Sequence, residues 1–358
     1  MGTRQEQFSG TCEVRDAHQF HVGQLEDYML SHVEGFHGPL TVCQFKGGQS
    51  NPTYLLESPS GKYVVRRKPP GKLLPSAHAV DREFKVISAL YAADFPVPRP
   101  FVLCMDEQII GTIFFIMEFV EGRIFWELDL PEINAEERTA IYESICKTIV
   151  QLHNFDHEKI GLGDYGKPGN YFARQIARWS QQYFTSETVK LEVMDELISW
   201  LLEHIPDDES VSVVHGDFRL DNLIIHPTEP RVCAVLDWEL STIGHPLGDF
   251  TYHLMAWQTP EIGIGCTGLL GKDLQAIGIP TENEYVTAYC ERTSRSEGIQ
   301  NRDFYSAYNF FRIAAILQGV AGRVRDGTAA SAHAARAANA VVPLVEIAWS
   351  YAQDARTD

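Results

Sequence analysis

Paired cysteines are what this 358-residue chain most plainly lacks. Its seven, Cys12, Cys43, Cys104, Cys146, Cys233, Cys266 and Cys290, are odd in number, scattered, and form no C-x-x-C. That excludes a disulfide framework and a zinc site of the usual spacing, and leaves most of them as small buried hydrophobes. Long apolar runs are missing too. The longest, Ile109 to Val120, is broken by Gly111, Thr112 and Glu118 and is too short to span a bilayer. The N-terminal residues carry no apolar core of a secretory signal, so the expectation is a cytoplasmic protein with no membrane partner. Basic charge is in deficit: 30 Lys and Arg stand against 48 Asp and Glu, a formal net charge of −18. Binding a nucleic acid duplex needs a basic footprint, so that partner is not expected. Between Thr185 and Gln300 the count is 20 acidic against 6 basic residues. This reads as solvated helix faces, or as an acidic rim suited to a cationic ligand.

What is present is ordinary for a globular protein, 44% hydrophobic and 22% charged, in a chain long enough for two lobes. Residues 1–19 show no periodicity and read as a loose tail. Residues 20–36 place Leu25, Tyr28, Met29 and Val33 on one helical face. Short β-rich runs at 41–45, 53–57 and 63–66, punctuated by Gly47, Gly48 and Gly61, read as three strands. Residues 76–92 form an apolar-faced helix. After the rigid turn Phe95 to Pro100, residues 102–105 and 112–119 read as an antiparallel strand pair. From Asn134 onward the pattern turns helical, at 135–154, 171–183, 191–204, 250–257, 282–295, 303–325 and 329–353. A first lobe over 20–120 and a second over 121–358 follow.

The chemistry concentrates in the stretch Val211 to Asp249. An apolar run leads into His215-Gly216-Asp217. Asn222 follows five residues after that aspartate, then a second apolar run from Leu223 to Ile225, and a third, Val232 to Leu236, ends in Asp237. Short β-branched runs bounded by Gly, Pro and Asp are buried strands, so three side chains able to hold a cation or a proton leave the ends of neighbouring strands. Phosphoryl transfer needs that set: a base to orient the attacking hydroxyl, and oxygen ligands for the Mg²⁺ that bridges nucleotide phosphates.

The ordered set HGDxxxxN followed by LDWE and GHPLGD resembles the catalytic and metal loops of the aminoglycoside phosphotransferase and choline kinase superfamily, which shares the protein kinase fold. The resemblance covers roughly residues 24–353. It implies an α+β, bilobal, protein-kinase-like fold, with a small antiparallel-sheet N-lobe and a larger, mainly helical C-lobe. It implies Asp217 as catalytic base, Arg219 facing the transferred phosphate, His215 buttressing the loop, Asn222 and Asp237 as Mg²⁺ ligands, and Asp249 as an anchor for loop amides. Asp221 and Glu239 are left as solvated or outer carboxylates.

By the same resemblance Gly47, Gly48, Ser50 and Asn51 form a shortened phosphate loop. Arg66, or alternatively Lys68, is the phosphate cation, and Glu83 is its helix partner. Glu118 to Val120 reads the adenine edge. His153, at the end of LHNFD, is expected as a packed helix end. Trp257, Tyr305, Tyr308, Asn309, Phe311 and Arg312 are acceptor-side residues or plain core.

The activity implied is ATP- and Mg²⁺-dependent transfer of the γ-phosphoryl group to a hydroxyl of a small molecule. The stretch YVVRRKPPGKLLPSAHAVDREF is more specific, and resembles the kinase-like domain fused to acyl-CoA dehydrogenases, which points to a hydroxyacyl-CoA acceptor. The alternative from another class is a non-catalytic, nucleotide-binding pseudokinase, although Asp217, Asn222 and Asp237 are all present. A protein kinase is disfavoured, since no A-P-E follows Asp237.

Overall fold

The computed structural model describes residues 9–46, 51–69, 79–260, 268–326 and 338–355. Its described residues fall into two compact units. One takes residues from Met1–Trp126, Asp156–Tyr165 and Arg219–Ser241, the other from Glu127–Phe155, Gly166–Phe218 and Thr242–Asp358. In place of the single cut expected near residue 120, the chain thus returns twice to the first unit.

The first unit is built on an antiparallel sheet. Strand β1 (Thr11–Cys12) precedes helix α1 (Val22–His32), then β2 (Thr41–Phe45), β3 (Thr53–Ser58), β4 (Gly61–Arg67), helix α2 (Val80–Ala92), β5 (Pro100–Cys104) and β6 (Phe114–Glu118). Their spatial order is β1-β2-β3-β4-β6-β5. Side chains alternate across a strand, and the two faces are used differently. Tyr54, Leu56, Tyr63, Val65, Phe114 and Ile116 join Leu25, Met29 and Phe36 in one buried core beneath α1. Arg66 and Phe115 face the other way, toward Glu83 and Phe84 of α2.

The expected loose tail is not loose over its described part. Thr11 and Cys12 pair with Phe45 and Gln44, making the sheet six-stranded, and the His18 carbonyl accepts from both Tyr54 and Arg67. Short-range periodicity could not reveal this, because the segment is held by partners some thirty to fifty residues away. Arg67 explains the rest of the basic triplet: it is 2% exposed and donates to the Tyr54 hydroxyl and to the Ile110 and His18 carbonyls. It is an internal staple, whereas Lys68 is half-buried.

The second unit is mainly helical. Helix α3 (Ala135–His153), capped by the Asn134 side chain, is followed by α4 (Tyr171–Ser186), α5 (Glu192–Glu203) and strand β7 (Ser212–Val214). The chain re-enters the first unit with the hairpin β8 (Leu223–Ile225) and β9 (Val232–Val235), then leaves it through β10 (Thr242–Gly244). Strand β10 pairs with β7, Thr242 opposite Val214. Helices α6 (Pro246–Gln258), α7 (Leu274–Ile277), α8 (Glu282–Arg292), α9 (Arg302–Arg325) and α10 (Val341–Asp354) complete it. The long α9 packs against α10, α4 and α6. Trp257, Tyr305, Tyr308, Asn309 and Phe311 are all buried.

Candidate functional site

Candidate residues occur in both units. In the first, the hairpin register sets the arrangement. Leu223 stands opposite Val235, so Asn222 just before β8 and Leu236 just after β9 meet, and the Leu236 amide donates to the Asn222 carbonyl at 2.8 Å. Asn222, 9% exposed, and Asp237 therefore leave the same end of one hairpin. Asp237 holds a left-handed backbone conformation, φ 65° and ψ 62°. Such a conformation is uncommon for a side-chain-bearing residue but tolerated by aspartate, and its side chain is one-third exposed.

The cation opposite Asp237 is Arg66. Its Nε donates to Glu83 at 2.8 Å, its Nη2 to Asp237 at 2.6 Å, and Nη2 lies 3.6 Å from Glu239. Arg66 is 7% exposed and Glu83 is 2% exposed. Burial alone would weaken the guanidinium as a base, but Glu83, Asp237 and Glu239 hold it firmly protonated. Burial drives the Glu83 carboxyl up to about 7, against the pull of Arg66 and with the push of Asp237 and Glu239. Three carboxylates around one guanidinium leave excess negative charge here, the setting in which a second cation is favourable.

Of the two readings left open for Glu239, solvated or outer carboxylate, its contacts fit the outer one. Its side chain is a quarter exposed and also accepts from Asn51 Nδ2 at 3.4 Å, and Asn51 itself is 1% exposed. Asp221 is similarly engaged: it pairs with Arg219 at 3.0 Å, with side-chain exposures of 13% and 42%. The Glu118 amide donates to the Arg99 carbonyl and its carboxylate accepts from the Arg99 amide. Gly47, Gly48 and Ser50 lie outside the described residues.

The second unit carries Asp217. Strand β7 delivers His215 to a fully buried position, 0% exposed, and Gly216 turns the chain with φ +83°. The turn is pinned by Asp249, 1% exposed on the first turn of α6. Its carboxylate accepts the His215 amide at 2.7 Å, the Gly216 amide at 2.8 Å, and His153 Nε2 at 3.3 Å. Burial would raise the Asp249 pKa, but these hydrogen bonds and the neighbouring imidazoles outweigh it and hold the carboxyl below its usual range. His215 Nδ1 in turn accepts the Asp217 amide at 3.1 Å.

Three contributors to this loop escaped the sequence reading. His153 is packed, as expected, but its ring bridges Asp249 and the Tyr289 hydroxyl. Arg312, 4% exposed, donates to the Gly216 carbonyl and lies over the rings of Tyr252 and Trp179. The Tyr252 hydroxyl donates to Asp217 Oδ1 at 2.5 Å. The only sequence signal for Tyr252 is its place one helical turn after Asp249, which puts both on one face of α6.

The donors suit Mg²⁺. A carboxylate and an amide oxygen at one hairpin end are hard ligands of the kind that hold this ion together with substrate phosphates. No cluster of three or more His, Cys, Asp or Glu arranged for a metal occurs among the described residues, so a softer, all-protein site is not indicated there.

Comparison with known proteins places these features in a family. Residues 41–265 match the model of the Phosphotransferase enzyme family. Acyl-CoA dehydrogenase family member 11 of Rattus norvegicus is 42% identical over 341 residues, which is 94% of this chain and 44% of that protein. The chain thus spans less than half the length of that curated relative. A crystal structure from Ralstonia eutropha, provisionally described as an aminoglycoside phosphotransferase, superposes with a TM-score of 0.86 at 50% identity, covering 94% of this chain and 99% of that one. Spectinomycin phosphotransferase, solved with ADP and spectinomycin, shares the fold at a TM-score of 0.60 and 12% identity, over 92% of this chain and 98% of that one.

Proposed function

This chain belongs to the phosphotransferase enzyme family, and on that footing we propose that it transfers the γ-phosphoryl group of ATP, with Mg²⁺, to an alcohol hydroxyl of a small molecule. The observation that carries the reading is the pinned loop of the second unit. A fully buried carboxylate holds the His215 and Gly216 amides so that the next residue, Asp217, is presented in one orientation. Preorganisation of this kind is what a reaction dominated by positioning requires.

In this reading Asp217 orients the acceptor hydroxyl and takes its proton. The acceptor oxygen forms the new P–O bond, and the bond from the γ-phosphorus to the bridging oxygen breaks, leaving ADP. Arg66, held by Glu83, binds the α- and β-phosphates; Arg219 faces the transferring group; the 47–51 loop cradles the phosphates; Glu118 to Val120 receives the adenine. Asn222 and Asp237 would hold Mg²⁺, which would supply positive charge to offset that of the phosphates.

For the acceptor, the relationship to acyl-CoA dehydrogenase family member 11 favours a hydroxyacyl thioester over an aminoglycoside. The deciding experiment is thermal stability with ATP, with Mg²⁺ and with both, followed by ADP release against hydroxyacyl-CoAs, choline-like amines and aminoglycosides. A ligand that binds only the folded state raises the midpoint. A shift requiring both ATP and Mg²⁺, with turnover abolished in Asp217→Asn, is the expected result. Turnover retained in that variant refutes the base assignment. A shift without turnover on any acceptor favours the pseudokinase.

A further inference from the structure

Tyr252 lies three residues beyond the stretch HGDxxxxN, LDWE and GHPLGD, and its hydroxyl donates to Oδ1 of Asp217 at 2.5 Å. Asp249 and Tyr252, three residues apart on α6, share a helix face, so one helix grips the loop twice: Asp249 at the backbone of His215 and Gly216, Tyr252 at the side chain of Asp217. From α9, Arg312 fixes both at once. Its guanidinium lies 5.2 Å from the centre of the Tyr252 ring and donates to the Gly216 carbonyl. A cation over an aromatic face holds the ring plane, and the ring plane directs the hydroxyl.

We propose that Tyr252 is a positioning residue for phosphoryl transfer, its hydroxyl fixing the plane of the Asp217 carboxylate under the hold of Arg312. This rests on the phosphotransferase reading of Asp217. A carboxylate terminates a freely turning bond, with two-fold broad torsional preferences. An oriented donor on one oxygen removes that freedom before the acceptor arrives, so the gain appears in turnover and not in nucleotide binding.

The test uses the full chain and Mg·ATP, with binding read by calorimetry and turnover by ADP release, first with water and then with the acceptor panel above. Tyr252→Phe keeps the ring under Arg312 and removes only the hydroxyl. The expected result is a kcat lowered about 10- to 100-fold with the Kd and KM for ATP unchanged and the melting temperature within about 2 °C of native. Tyr252→Leu, which also removes the ring, is expected to lose at least as much kcat. A kcat within about twofold of native in Tyr252→Phe overturns the proposal. So does a fall in kcat matched by weaker ATP binding and lower stability, because that is a structural role. Native protein that binds Mg·ATP but releases no ADP under any condition overturns the phosphotransferase reading itself, and this proposal with it.

Discussion

Replacing Asp249 by asparagine alters one atom and should unfasten the loop that presents Asp217. The carboxylate is 1% exposed and accepts three hydrogen bonds, from the His215 amide at 2.7 Å, the Gly216 amide at 2.8 Å and His153 at 3.3 Å. An asparagine can turn its oxygen toward one backbone amide, but its NH2 group then faces the other, donor against donor. Hydrogen bonds to a charged group contribute about 1.5–3 kcal/mol each, and a buried donor left unsatisfied costs about 1–3 kcal/mol. Losing one charge-assisted bond and orphaning one amide therefore destabilises by roughly 3–5 kcal/mol, a factor of about 10² to 10³ or more in the folding equilibrium. At a urea m-value of about 3 kcal/mol per molar, the midpoint drops by about 1 M or more. Equilibrium urea unfolding followed by tryptophan fluorescence reads this directly, with Asp354→Asn as an exposed control. A drop below about 0.3 M would refute the reasoning, since it would mean the two amides are satisfied without the carboxylate.

Other outcomes follow from the same geometry. Arg66→Lys keeps the charge but cannot span Glu83 and Asp237 at once, so the KM for ATP should rise about tenfold while Lys68→Ala leaves it near native; the reverse pattern would reassign the phosphate cation to Lys68. Arg67→Met removes donors to Tyr54, Ile110 and His18 and should cost about 2–4 kcal/mol by chemical denaturation with the ATP KM unchanged. His253 is buried against the Tyr285 hydroxyl, and burial lowers its pKa from 6.5 to about 4. The unfolded chain therefore takes up the proton first. Its contribution is fully present above about pH 6.5 and is lost as pH falls toward 4, at most about 3 kcal/mol. Denaturation midpoints measured across that window should fall with pH, and less steeply in His253→Gln; an unchanged slope would assign the acid sensitivity to other groups such as His245, which burial also lowers to about 4.

The sequence by itself determined what depends on near neighbours. Alternating and helical periodicities placed β2 to β6, α1 to α6, α8 and α9 close to where they stand. The separations within 211–249, through the family resemblance they carry, singled out Asp217, Asn222, Asp237 and Asp249 as candidates, and a strand end, a tight turn and a hairpin each fix where such side chains leave the backbone. Tertiary structure alone decided the partners. Arg66 meets Asp237 across 171 residues, Tyr54 and Arg67 hold the carbonyl of His18 in a segment with no periodicity, and Asp249 receives His153 across 96. In the sequence Glu239 and Asp221 could be solvated or outer carboxylates, and their ion-pair partners, Arg66 and Arg219, emerge only in the folded chain. The physical reason is that spacing fixes which way a side chain leaves its own element, whereas packing selects which distant side chain it meets. Tyr252 shows the difference most sharply: its position after Asp249 put it on the right face of α6, and only the folding of α6 and α9 around the loop brought its hydroxyl to Asp217.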